Sequence, residues 1–386
     1  MTTETFGVFD FGLDQQQEER ARRLHAESII VDALFQGPVG YRVYDDETNK
    51  ALHSKFESHR DIFRALRDGM ETPIRLAIEG RLDAVKDHWD DSGITCGNRQ
   101  VELADDTVRD FSFAFAQLQF DHFDWLTKAL RADDIRRAKA NGTHAGLVSS
   151  QVLTGPWRDL DALALYYDFG LRMCQLTYNS MTSVGAGCTD RGNAGLSSFG
   201  VASVKAMNQL GIMVDTGHVG RETTLDACDV SEAPVVASHT AAAGVYQHAR
   251  GKDDETIRAI ADTGGVIGIV TVPFFLGPEA DVDINVFLNH IEHVSEVGGI
   301  DSVCIGTDWP LQSPQWMQTA VLQPLFAETG FRPEHRLDAT QSLIGFDDYR
   351  DFPNITRGLV ARGWSDEDIR KVLGENFLRV MEKACG

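Results

Sequence analysis

The chain has 386 residues, 42% of them apolar, with a formal net charge of −22 and a pI of about 4.9. That length and apolar content suit one large α/β barrel or two smaller domains. The acidity argues against nucleic acid and anionic membrane surfaces as partners, and no apolar run is long enough to span a bilayer. The first 28 residues lack the basic and apolar regions of a signal peptide. Six cysteines are scattered without a CxxC pair; Cys96, Cys174 and Cys304 lie in apolar runs and read as reduced packing residues of a cytoplasmic protein.

In chain order, residues 15–27 form a charged amphipathic helix and 28–34 (SIIVDAL) a first strand. Residues 40–92 are polar and helix-rich, an excursion rather than a regular βα unit. A second strand is predicted over 93–100. An aromatic-rich helix over 106–131 (with FSFAFAQLQFDHFDW) packs on the sheet, followed by a solvated helix over 132–140. Strand three spans 145–153, a helix 159–169, and strand four 171–178. The Gly-, Ser- and Thr-rich stretch 179–198 is a long loop leading to a helix over 199–211.

The stretch 213–250 organises the rest. Residues 213–215 and 234–237 are short buried strands, each running into a histidine, His218 and His239, with a polar helix over 222–231 between them. Strand, helix, strand at this length is a βαβ unit, so the two strands are parallel neighbours. Both histidines then stand at the C-terminal edge, where parallel barrels place their chemistry, close enough to share one metal ion. The alternative is a pair of hydrogen-bonded core histidines. A helix (253–263), strand seven (265–272), a helix (283–297) and strand eight (302–306) follow; the last leads to Asp308. Residues 311–350 are an insertion, and helices over 354–363 and 366–384, the second capped by Ser365, close the chain. Eight strands alternating with helices, and no linker, predict a single (β/α)8 TIM-type barrel over 1–386.

LTYNS (176–180), GLSSFGVASVKAMNQLGIMVDTGHVG (195–220), APVVASHTAAAGVYQHAR (233–250), GGIDSVCIGTDW (298–309) and LVARGWSDEDIRKVLGENFLRVM (359–381) resemble the membrane (renal) dipeptidase family, peptidase family M19 of the amidohydrolase superfamily. The resemblance runs over residues 28–384 and is densest after 170. It implies a barrel, usually homodimeric, that binds two zinc ions and hydrolyses dipeptides. It further implies that His218 and His239 are metal ligands, that Arg250 grips the substrate carboxylate, and that Asp308 is a ligand and proton shuttle. The family's first strand ends Asp-Gly-His-x-Asp. Here Leu34 stands at the histidine position and Gln36 at the aspartate position. Gln151 stands for the bridging glutamate, and Tyr178 for a substrate-binding histidine.

Leucine offers no lone pair, and a glutamine amide is a weak, neutral ligand. With Asp308 the one carboxylate left, two adjacent dications would be uncompensated in a buried site, which excludes a binuclear centre. One divalent ion remains, zinc first and iron or manganese next, on His218 and His239 with an oxygen from Asp308 or Gln151. Asp308 would accept a proton, Arg250 would clamp a carboxylate and Tyr178 would donate to an oxyanion. The expected activity is that of a hydrolase acting on a small carboxylate-bearing amide or dipeptide. The alternatives are lyase-, isomerase- or deaminase-like chemistry on the same barrel, and a non-catalytic ligand-binding protein.

Overall fold

The structure, a computed structural model, describes residues 5–35, 45–103, 106–153, 159–310 and 313–386. Eight short strands are predicted from the sequence and eight form the barrel. They are β1 (Val31–Asp32), β2 (Cys96–Gln100), β3 (His144–Ser150), β4 (Leu171–Gln175), β5 (Met213–Asp215), β6 (Val235–Ala242), β7 (Val266–Ile269) and β8 (Val303–Ile305). Each pairs in parallel with the next, and β8 returns to β1 through Ile305 and Asp32, so the sheet is closed. Its strands are buried on both faces, which is why they do not read in the sequence as an alternation of apolar and polar residues.

The far end of the barrel is sealed by the C-terminal helix Asn376–Cys385. Its Phe377 and Met381 pack with Cys96, Met213 and Val266, the first residues of β2, β5 and β7. Ser365 caps the preceding helix, accepting from the backbone N–H of Asp368, as its sequence position predicts. Between β1 and β2 the chain makes its helical excursion, Asp46–His59, Ile62–Ile78 and Ala84–Ser92. No helix among the described residues is long and apolar enough to cross a membrane.

Two features depart from the sequence expectation. The aromatic helix stops at His122, and Leu126–Lys128 is a short strand along the first half of β3, until β4 takes over at Val148. Helical spacing continues past His122, but Phe123 and Trp125 stack on each other, and Trp125 packs against Trp89 and His144. Tertiary packing there overrides local periodicity. The second feature is Gly251–Lys252, a short parallel strand beside Ala241 and Ala242 at the end of β6. It brings the preceding residue, Arg250, back to the end of β6.

Candidate active site

Register places the two histidines level. Asp215 of β5 pairs with Val236 of β6, and each histidine follows its strand's paired residue by three positions. The imidazole centroids are 4.7 Å apart at 60°, and both side chains are buried. The His218 turn and the His239 segment of β6 are tied by Asp215, which ends β5. One carboxylate oxygen accepts the backbone N–H groups of Gly217 (2.9 Å) and Ser238 (2.8 Å). The other accepts the Ser238 hydroxyl at 2.6 Å. Gly217 is required here, because a Cβ on it would lie 2.9 Å from the His239 ring and 2.7 Å from Gln175 Oε1.

The tautomer of each ring follows from its neighbours. His218 Nδ1 lies 2.6 Å from Asn179 Oδ1, and Asn179 is oriented by its own Nδ2 donating to Thr329 O at 2.8 Å. An amide oxygen only accepts, so His218 Nδ1 carries the proton and Nε2 has a free lone pair. His239 Nδ1 is 2.7 Å from Ser238 Oγ, and its Nε2 is buried with no hydrogen-bond partner among the described residues. Burial, with the Arg250 cation second, holds both imidazoles well below their ordinary pKa. Both are neutral, as nitrogen ligands must be.

Arg250 is not aimed outward as a free clamp. It is among the largest fully buried side chains. Its Nη1 donates to Gly217 O and its Nη2 to His239 O at 2.9 Å, and the guanidinium lies 5.4 Å from the Phe275 ring centroid. It therefore fastens the His218 turn to β6 at His239. Its Nε is buried and unpartnered among the described residues, which leaves one donor edge unused. His248 accepts the Arg250 backbone N–H through Nδ1 at 3.1 Å.

Tyr178 stacks on His218, centroids 4.1 Å apart and planes at 24°. Burial, with the Asp308 carboxylate next, pushes its hydroxyl pKa upward, so it stays a proton donor. Asp308 lies just beyond β8 in the left-handed region (φ 58°), its N–H bonded to Leu34 O at 2.8 Å. The chain is held there by Asp32, whose carboxylate accepts the N–H of Thr307 (2.9 Å), the N–H of Leu34 (3.2 Å) and the Thr307 hydroxyl. Asp32 at the end of β1 thus repeats the bracing pattern of Asp215 at the end of β5. Sequence reading passed over both, although an aspartate as the last residue of a strand on either side of the barrel was the available signal.

Burial pushes the Asp32 carboxyl up to about 7, against the Thr307 and Leu34 hydrogen bonds and with some help from Asp308. The folded chain then keeps a proton that the unfolded chain releases above about pH 4. Stability from this group is full below about pH 4 and falls as pH rises toward 7, by up to ~1.4 kcal/mol per unit. Asp32→Asn carries no such proton and should flatten that slope in denaturant unfolding measured across the window. An unchanged slope assigns the pH dependence to another group.

Gln151 follows β3 directly. Its Nε2 donates to Gln100 Oε1 at 2.7 Å, and its own Oε1 is buried without a hydrogen-bond partner among the described residues. It connects to the histidines through Gln175, which donates to Gln151 O (2.6 Å) and accepts the His218 N–H (3.0 Å). Leu34 is buried just past β1, and Gln36 lies outside the described residues. Among the described residues no three His, Cys, Asp or Glu side chains gather as a metal-holding group. The Asp308 N–H ties it to the end of β1, and its charge acts on Asp32 and on Tyr178, the ring stacked on His218.

This arrangement coincides with a family signature along the chain. The sequence model of the membrane dipeptidases, peptidase family M19, matches residues 18–328 and 337–385. The chain belongs to the membrane dipeptidase family. The match takes in all eight barrel strands and every candidate site residue named above. Among solved structures, an amidohydrolase from Pseudomonas aeruginosa is 26% identical, with a TM-score of 0.73 over 94% of this chain and 98% of that one. The probable dipeptidase PvdM from the same organism is 18% identical, TM-score 0.70, over 96% and 99%. A metallo peptidase from Rhodobacter sphaeroides, solved with a phosphinate mimic of the dipeptide L-Ala-D-Ala, is 19% identical, TM-score 0.66, over 92% and 99%. The last two likenesses are of fold.

Proposed function

We propose that this membrane dipeptidase family member is a hydrolase of a small, carboxylate-bearing amide, a dipeptide being the model substrate, and that it works with at most one divalent metal ion held by His218 and His239. The observation that carries this is the histidine pair itself: two neutral rings 4.7 Å apart, with His239 Nε2 buried and lacking a partner among the described residues. Such a lone pair costs free energy unless it meets a donor or a cation. Two nitrogens suit zinc first, iron or manganese next, whereas leucine at 34 and glutamine at 151 do not suit a second dication. A bound ion would supply Lewis-acid activation of water and of the amide carbonyl.

The surrounding groups divide the remaining tasks. Tyr178, kept protonated, donates to the carbonyl oxygen as charge develops there. Asp308 takes the proton released by the attacking water and returns it to the leaving nitrogen. Arg250, with both Nη atoms already tied to carbonyls, meets the substrate carboxylate side-on through its unused Nε–H edge. The bare Oε1 of Gln151 accepts from an N–H of the substrate.

A second reading keeps the barrel and runs lyase-, isomerase- or deaminase-type chemistry; the lack of a three-ligand group among the described residues favours it. Elemental analysis of protein purified without added metal, paired with a panel of dipeptides and their D-residue variants, separates the readings. The expected result is no more than one ion per chain and hydrolysis of at least one dipeptide. Two tightly held ions per chain would overturn the stoichiometry. One ion with no amide cleavage would move the assignment to the second reading.

A further inference from the structure

We propose that Asp215 is a positioning residue that acts through Ser238 to fix which ring nitrogen of His239 is bare; this rests on the reading above only in taking His239 as a metal ligand. The geometry is a linear relay. Asp215 Oδ2 lies 2.6 Å from Ser238 Oγ, and Ser238 Oγ lies 2.7 Å from His239 Nδ1. A serine hydroxyl has one proton to give. Ionised, and with its other oxygen accepting the N–H groups of Gly217 and Ser238, the Asp215 carboxylate can only accept, so the hydroxyl proton goes to it. Ser238 Oγ is then left only as an acceptor, and His239 must present Nδ1–H. Nε2 is thereby deprotonated before any ligand arrives. The other ring of the pair is set independently, by Asn179. The two tautomers are thus fixed independently, and only that of His239 depends on a charged group.

A carboxylate-to-carboxamide change reverses the direction of such a relay while keeping its shape. In Asp215→Asn the carboxamide N–H₂ donates to Ser238 Oγ, Ser238 donates to His239 Nδ1, and the proton moves to Nε2. Ser238→Ala removes the relay and leaves the ring free to populate both forms. The experiment is 15N NMR of histidine-labelled, metal-free protein, with chelator competition for zinc measured on the same samples. The parent should show His239 protonated at Nδ1, Asp215→Asn protonated at Nε2, and Ser238→Ala a mixture. Zinc affinity should fall about 10–100-fold in Asp215→Asn, as expected when the partner of a ligating histidine is lost. Ser238→Ala serves as the reporter if Asp215→Asn does not fold. A parent ring protonated at Nε2, or a tautomer that neither substitution moves, overturns the proposal. A tautomer that moves as expected in a parent that binds no zinc supports the relay and overturns the metal assignment instead, so the two failures are distinct.

Discussion

Protein carrying His239→Ala is expected to lose metal retention altogether, and His218→Ala likewise, while Leu34→Ala retains it. The size of the effect follows from how few ligands there are. Structural zinc sites with four protein ligands hold the ion by about 10–16 kcal/mol, or roughly 3 kcal/mol per ligand. Removing one of two nitrogens therefore weakens binding by about a hundredfold or more, since ~1.4 kcal/mol is a factor of ten. Leu34→Ala supplies the contrast. Leu34 is buried, so its truncation costs stability, roughly 2–5 kcal/mol for a core leucine, without touching either ring. Metal content per folded chain, measured after size exclusion, reads the two effects apart. Equal content in His218→Ala, His239→Ala and the parent would return both histidines to the status of core residues.

The second large effect is expected at Arg250. Alanine there strips the donors from two buried carbonyls, Gly217 O and His239 O, and removes the guanidinium from beside the Phe275 ring. Each carbonyl left unsatisfied costs about 1–3 kcal/mol, so Arg250→Ala should lose about 2–6 kcal/mol in denaturant unfolding. Arg250→Lys keeps the charge and at best one of the two bonds, so it should recover part of the loss. The same side chain carries the proposed contact to the substrate acid. A ligand's free acid should bind the parent about tenfold or more better than its carboxamide or methyl ester, and Arg250→Lys should narrow that gap. A stability loss with an unchanged preference for the acid would leave Arg250 as a brace between the His218 turn and β6 and nothing more.

Ordinary barrel physics decided much of what was legible in the sequence. The eight strands stood out because apolar runs of a few residues ending in Gly, Thr or Asp are local signals, and strands buried on both faces leave no ambiguity of side. The histidines stood out for the same reason: His218 follows its strand by three residues and His239 lies within its own, so the strand fixes the position of each. The end of the aromatic helix did not stand out. Its helical spacing runs on past His122, and the stacking of Phe123, Trp125, Trp89 and His144 that stops it joins residues up to 55 positions apart.

For the site, the sequence by itself determined which side chains stand at the C-terminal edge: His218 and His239, Arg250, Tyr178, Gln151 and Asp308. It also determined that leucine occupies position 34 and glutamine positions 36 and 151, a composition poor in charge for metal binding. The tertiary structure alone decided how those side chains are used. Arg250 spends both Nη atoms on Gly217 and His239, 33 and 11 residues away. Asp32 reaches Thr307 across 275 positions and fixes the segment that carries Asp308 beside the end of β1. Asp215 and Ser238 meet across neighbouring strands and set the His239 ring. Strand ends are specified by residues adjacent in the chain, whereas hydrogen bonds between them depend on which strands become neighbours and in what register, and that exists only once the barrel has closed.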